Sequence, residues 1–160
     1  MIEVPSWQIE KLSAEESNMA IFALEDVKNA EGKWLDALEA LLPAKSTIRY
    51  LIRCIDTEMG AKPKSLSKKI KYALNIGKIK DAVEEARVKY KSLKEESKGL
   101  YDAEATAKEA LERAEFVFAN IAYQGDEWKV FDFTDQCKKD REKHVENIIG
   151  NYINEIEKRK

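Results

Sequence analysis

An apolar side chain recurs every seven residues across the middle of the chain, and no other feature restricts the fold as strongly. The positions are Ile79, Ala86, Leu93, Leu100, Ala107, Ala114 and Ile121. A companion apolar row follows four residues later, at Val83, Tyr90, Leu111 and Phe118. This pattern is typical of a long helix with one apolar seam, in a coiled coil or an elongated bundle. At a rise of about 1.5 Å per residue, a helix from Ile79 to Ala122 spans ~65 Å.

Gly99 lies inside this seam, where Ser97 and Glu104 interrupt the companion row. A hairpin at Gly99 is therefore the alternative to a continuous or bent helix. Because the seven-residue phase is the same before and after Gly99, the sequence favours the helix.

The segment before the seam also has helical signals. Ser13 and Glu16 have the spacing of a capping box, and apolar residues at helical intervals follow as far as Leu42. Trp34 belongs to this apolar face and is expected in the core. Pro43 either kinks one long helix or separates it from a second helix that ends near Met59.

Glycines and prolines divide the rest of the chain. Residues 60–64 form the clearest turn, and Gly77 either ends or bends the helix that follows. A second turn at 124–126 precedes an aromatic cluster at 128–133, which we expect to fill the core where helices meet. Thr134 or Asp132 is then expected to cap the last helix.

These segments predict an all-α fold, an elongated antiparallel helical bundle or coiled coil of three long segments. The first segment is expected to be broken near Pro43 and the second near Gly77. A single domain covers residues 1–160, in keeping with the usual size of domains. It is divided into an N-terminal extension (1–12), a first segment (13–59), a second (64–122) and a third helix (134–159).

Charge is distributed unevenly along the chain, although 28 basic and 30 acidic side chains give a net charge of -2. Residues 1–42 carry nine acidic and three basic side chains, whereas residues 62–80 carry no acidic one. The cations in that stretch are Lys62, Lys64, Lys68, Lys69, Lys71, Lys78 and Lys80. Either they form a solvated face that the acidic first helix balances, or they bind an anionic surface: a membrane, nucleic acid or an acidic protein. The absence of arginine favours diffuse electrostatics, and Tyr72 as the single aromatic gives base stacking little support.

Catalytic chemistry has little support in the sequence. His144 is the one histidine, and its neighbour Asp140 belongs to a strongly polar run that reads as an exposed face. Zinc-type Cys/His sets and a glycine-rich phosphate loop are both missing. We therefore expect no catalytic, cofactor or metal site and no small-molecule substrate. Cys54 and Cys137 are far apart and favour a reducing, cytoplasmic setting. The sequence contains neither a membrane-spanning apolar stretch nor the pattern of a signal peptide.

The C-terminal third resembles the last two helices of BAR domains of the sorting-nexin type, over about 50 residues. The residues that carry the resemblance are the run Ala110–Ile121, then Glu127, Phe131 or Phe133, Asp140, His144, Val145, Ile148, Tyr152 and Ile156. The resemblance implies a dimer of long, bent three-helix coiled coils that binds curved anionic membranes through basic residues.

We expect a non-enzymatic association or scaffold protein that acts through protein–protein contacts, most simply as a homodimer. The association seam would comprise Ile79, Val83, Tyr90, Leu93, Leu100, Leu111, Phe118 and Ile121. Trp128 is a candidate partner anchor, because tryptophan dominates binding hot spots. The first alternative is BAR-like binding of anionic membranes through the lysines of 62–80, at the periphery of a membrane. Nucleic-acid binding through the same lysines is the second.

Overall fold

The computed structural model describes residues 11–60 and 66–159, and all of their regular secondary structure is helical. Four helices follow one another: α1 (Ala14–Gly60), α2 (Leu66–Glu96), α3 (Lys98–Ala122) and α4 (Glu127–Lys158). The prediction of an all-α fold is confirmed.

Helix α1 begins at the predicted capping box. The Ser13 amide donates to Glu16 Oε2 at 3.3 Å, and the Glu16 amide donates to Ser13 Oγ at 3.2 Å. Two free amides of the first turn are thereby satisfied, as the sequence predicted.

The predicted break near Pro43 is wrong, because α1 remains helical through Pro43. The ring removes one amide from the helical ladder, at a cost of about 3 kcal/mol in a helix interior. Leu41, Leu42 and Ile48 are buried on either side of it. Burial of such side chains stabilises by about 1.5–3 kcal/mol each, which offsets the missing hydrogen bond.

The predicted break near Gly77 is also wrong, since α2 continues from Leu66 to Glu96. A β-carbon built at Gly77 would have no neighbour within 4 Å, so nothing packs there to require a turn. The interruption lies instead at Ser97, one residue before α3 begins. Helical hydrogen bonds cross this point, from the Ser97 amide to Leu93 O and from the Tyr101 amide to Ser97 O, both at 3.0 Å. The chain therefore continues through Ser97 with helical hydrogen bonds, and the alternative of a hairpin at Gly99 is not observed.

Helix α4 begins seven residues earlier than the predicted third helix. Asp126 is its cap and accepts a hydrogen bond from the Lys129 amide at 3.3 Å. Gln124 and Gly125 adopt φ of 52° and 76°, which ends α3 and reverses the chain. The expected caps Thr134 and Asp132 thus lie inside the helix. The Thr134 hydroxyl instead donates back to Val130 O at 3.0 Å.

The core lies mainly between α1 and α3, with α4 packed against both. Trp34 is buried there, as predicted, and its Nε1 donates to Glu104 Oε1 at 2.9 Å. Gln124 reaches Glu16 at the start of α1, so α1 and α3 run in opposite directions. The second half of α1 packs along α2 instead.

The molecule exposes much surface for its mass. Its solvent-accessible surface is 11448 Å² for 18.4 kDa, whereas a compact monomer of this mass exposes about 8,200 Å².

Candidate interaction surfaces

The predicted association seam divides into a buried and a less buried half. Leu111 and Phe118 are fully buried in the chain's own core, and Val83 is buried as well. The less buried members are Ile79, Tyr90, Leu93 and Ile121, which are half-buried, and Leu100, which is 39% exposed. The repeat is therefore used largely inside one chain, and Leu100 is the one member of the predicted seam that is exposed.

The aromatic cluster that we expected to fill the core is split by the helix that carries it. Val130 is buried, and the Phe133 ring lies 5.8 Å from the rings of Phe118 and Tyr123. Trp128, at 80% exposed, and Phe131 point to solvent. Because α4 already begins at Glu127, helical spacing brings only alternate members of the cluster inward. The core prediction is thus wrong for Trp128 and Phe131, while the exposure of Trp128 suits a partner anchor.

A further set of exposed apolar residues escaped the sequence analysis. They lie near the end where α1 begins and α3 meets α4, and they are Met19, Ile21, Phe22, Phe116 and Val117. Their positions in the sequence do not follow the helical spacing of the buried residues of α1 and α3. Apolar residues outside that spacing are the signal that could have identified this surface.

Two grooves border these residues. Phe116 and Phe131 line a cavity of about 240 Å³ between α3 and α4. The second groove, between α1 and α3, measures about 730 Å³ and is lined by Asp26, Asn29, Ala30, Lys33, Asp102, Ala103, Thr106, Ala107 and Ala110. No residue of α4 lines this groove, so it lies on a face that α4 leaves uncovered.

A buried ion pair holds α3 against α4. The guanidinium of Arg141 donates to Glu115 Oε1 and also lies 3.7 Å from Glu112 Oε1. The Glu115 side chain is 2% exposed and that of Arg141 9%. Burial raises the pKa of the Glu115 carboxyl, and the attraction of Arg141 opposes this effect. The sequence analysis missed this pair, because charged side chains on a helix are normally solvated.

The nearest candidate for catalytic chemistry is a cavity of about 420 Å³ lined by Cys137, Asp140 and His144, among others. Burial raises the pKa of the Cys137 thiol to about 12, and the adjacent Glu115 carboxyl acts in the same direction. A thiol of this kind stays protonated at neutral pH and is a poor nucleophile. Within the described residues, no three His, Cys, Asp or Glu side chains are grouped as a metal site would require.

The lysine stretch is only partly described. Lys62 and Lys64 lie outside the described residues, as do the side chains of Lys68 and Lys71. Lys69, Lys78 and Lys80 are exposed, and none of them forms an ion pair with another described residue.

The acidic turns of α1 do not lie beside these lysines, contrary to one expectation from the sequence. Asp56, at the lysine end of α1, lines a groove together with Arg87 and Val88 of α2. Asp26 lies about 45 Å away along the same helix. Arg87 lies beside the end of α1, and residues 69–80 come before Arg87 in α2, which places them still farther from Asp26. The lysines and the acidic turns of α1 therefore lie at opposite ends of the molecule.

None of the helices is apolar enough over a sufficient length to cross a bilayer, as far as the described residues go. Comparison of the chain with protein-family models, curated proteins and solved structures gives no match.

Proposed function

We propose that this chain is a non-enzymatic helical association module that binds protein surfaces and forms a homodimer. The observation that carries the proposal is the group of large apolar side chains exposed near one end, above all Phe22, Phe116, Trp128 and Phe131. Contiguous exposed apolar surface on a soluble domain usually marks an interaction site.

The chemistry of these side chains supports binding. Tryptophan and phenylalanine bring large contact areas with few rotatable bonds, so they lose little entropy when a partner fixes them. Trp128 and Phe131 are three residues apart on α4 and therefore face the same side of it. Together with Phe116 across the groove, they offer a partner three aromatic rings.

Self-association is tested by sedimentation equilibrium over a wide range of protein concentration. We expect the apparent mass to rise from that of one chain towards that of two. The double variant Trp128→Ala/Phe131→Ala separates the two parts of the proposal. If it dimerises normally, these rings serve a different protein, whereas a monomeric variant assigns them to the dimer. A wild-type mass that stays at 18.4 kDa at all concentrations would refute the homodimer.

We further propose that α2 and α3 act together as one bent segment, so that the molecule is an elongated antiparallel bundle of three long segments. The helical hydrogen bonds across Ser97 support this view. It agrees with the shape that the resemblance to BAR domains implies. Small-angle scattering tests it, because a compact globule would give a much smaller maximum dimension than the ~70 Å that α1 alone spans.

A second candidate function is binding of anionic membranes, in a cytoplasmic protein that contacts the membrane from one side. Lys69, Lys78 and Lys80 support it, since they are exposed without described ion pairs and lie far from the acidic turns of α1. Each lysine near an anionic leaflet contributes about 1 kcal/mol, an attraction that salt screens.

Vesicle co-sedimentation tests the membrane candidate. Binding is expected with phosphatidylserine vesicles, to weaken with salt, and to be lost in Lys69→Glu/Lys78→Glu/Lys80→Glu. The variant Lys129→Glu/Lys138→Glu/Lys143→Glu on α4 carries the same charge change and is the matched control. Equal sedimentation of both variants would eliminate the candidate. Nucleic-acid binding is less supported, and a missing gel shift at low salt would exclude it.

A further inference from the structure

The two ends of the molecule carry opposite charge. The first part of α1, residues 14–40, has seven acidic and two basic side chains, whereas the start of α2, residues 66–80, has five lysines and no acidic residue. The contacts described above place these two segments at opposite ends. An antiparallel arrangement of two copies therefore brings each basic end onto the acidic end of the other copy.

The acidic end offers a place for another helix to dock. The groove between α1 and α3 has a floor of small side chains, among them Ala30, Ala107 and Ala110, which allows close approach of a further helix. Phe22 lies one helical turn before Asp26 on the same side of α1 and is 68% exposed. Helix α4 contributes no residue to this groove, so a helix from another chain has access to it.

The charged residues of the groove are spaced along it. In the register set by Trp34 and Glu104, Asp102 is level with residue 36 of α1. It therefore lies ten residues, or about 15 Å, along the axis from Asp26. Lys33 also lines the groove, so its net charge is one negative unit.

The start of α2 has the complementary pattern. Lys69, Ala73, Ile76 and Lys80 succeed one another at intervals of four, three and four residues, so they form one stripe along the helix. All four are exposed in their own chain. The two lysines of the stripe are eleven residues apart, about 16 Å along the helix, which matches the separation of the two aspartates. Ala73 and Ile76 lie between them, so the middle of the stripe is apolar, like the floor of the groove.

We propose that residues 69–80 at the start of α2 dock into the α1/α3 groove of a second copy of this chain, with Lys69 and Lys80 paired to Asp26 and Asp102. The inference rests on the self-association proposed above and places its surface on the α1/α3 face, so the rings of Trp128 and Phe131 on the α3/α4 side would serve a different protein. A twofold axis makes the contact twice, once at each end, so the interface is isologous and closes as a dimer.

Charge reversal tests this pairing. In a homodimer of Lys69→Glu/Lys80→Glu, each of the two contacts brings two glutamates onto two aspartates. In a homodimer of Asp26→Lys/Asp102→Lys, each contact brings together four lysine ammonium groups. Each double variant alone is expected to dimerise at least about tenfold more weakly than wild type. An equimolar mixture of the two restores the opposite charges at both contacts, so a heterodimer of near wild-type affinity is expected. The control Lys143→Glu/Lys158→Glu changes exposed charges on α4 and leaves affinity unchanged.

Sedimentation equilibrium gives the dissociation constants, and circular dichroism verifies that each variant is helical. Rescue in the mixture supports the pairing, because a merely misfolded variant is not rescued by another. If all variants dimerise like wild type, self-association stands and the proposed surface is wrong. If wild type is monomeric, the homodimer and the surface proposed for it both fail, and binding of a different protein through the aromatic residues is the part of the proposed function that is left. Vesicle binding by a monomeric wild type, lost in Lys69→Glu/Lys80→Glu, would assign the lysines to a membrane instead.

Discussion

Removal of Arg141 should leave the Glu115 carboxylate buried without its counter-ion. Breaking a buried pair by deleting one partner costs about 3–5 kcal/mol, because the remaining charge has lost both water and its partner. Both side chains here are more than nine-tenths buried, so solvent offers little compensation. We therefore expect Arg141→Met to lower the free energy of unfolding by about 3–5 kcal/mol. The midpoint of thermal unfolding should fall by about 6–20 °C in a chain of this size.

The effect should depend on pH with a definite sign. Burial raises the pKa of Glu115 above its ordinary value of 4.5, so the folded state binds this proton more tightly than the unfolded state. The stability that this group contributes is complete below pH 4.5 and is lost as the pH rises through the raised value. Without Arg141 the carboxyl is harder still to ionise. The difference between wild type and Arg141→Met should therefore be smallest at acidic pH and largest near neutrality.

Urea unfolding followed by circular dichroism, at several pH values, measures these differences. The control is Arg113→Met, whose ion pair with Glu109 lies on the surface of α3 and contributes at most about 0.5 kcal/mol. The double variant Glu115→Leu/Arg141→Met removes both charges and should recover most of the loss. A loss below about 1 kcal/mol in Arg141→Met, or a loss that grows at acidic pH, would refute the reasoning.

Three further outcomes follow from the structure. One thiol per chain, that of the half-buried Cys54, should react quickly with a disulfide reagent at pH 8. The other should react only in urea, because Cys137 is buried and its pKa is raised to about 12. Equal rates for the two thiols would contradict this. Pro43→Ala should stabilise the fold by about 1–3 kcal/mol in urea unfolding, since it restores a helical amide in a helix that already continues through this point. Arg49→Ala should cost less than about 1 kcal/mol, because its 2.7 Å ion pair with Glu146 is largely exposed; a larger cost that persists in high salt would show that the pair acts otherwise.

Local signals in the sequence predicted much of the fold. The capping box at Ser13 and Glu16 formed as expected, because both partners lie within one turn and need no tertiary contact. Trp34 was placed correctly in the core by its helical spacing. The breaks predicted at Pro43 and Gly77 are both wrong for one reason. Helix propensity measures how much a residue destabilises a helix, whereas tertiary packing determines whether the helix forms despite it.

The surfaces were harder to predict than the helices. The start of α4 at Glu127 changed which aromatic residues face inward, so an error of seven residues at a helix end displaced Trp128 from the core to the surface. Arg141 lies four residues after the buried Cys137 and eight before the buried Ile149. This spacing puts Arg141 on the buried side of α4. A buried charge was therefore visible in the spacing, but its partner Glu115, on another helix, could be found only in three dimensions.

The order of contacts along α1 has a consequence for synthesis on the ribosome. The second half of α1 packs on α2, the next helix made, whereas its first half waits for partners such as Glu104 and Gln124. At about 5–20 residues per second, that wait lasts several seconds, with the buried face of residues 20–42 still uncovered. The nascent chain therefore presents a hydrophobic helix to chaperones before it can close its own core. Folding from the centre of the sequence outward makes the first half of α1 depend on α3, which is synthesised only after α2 is complete.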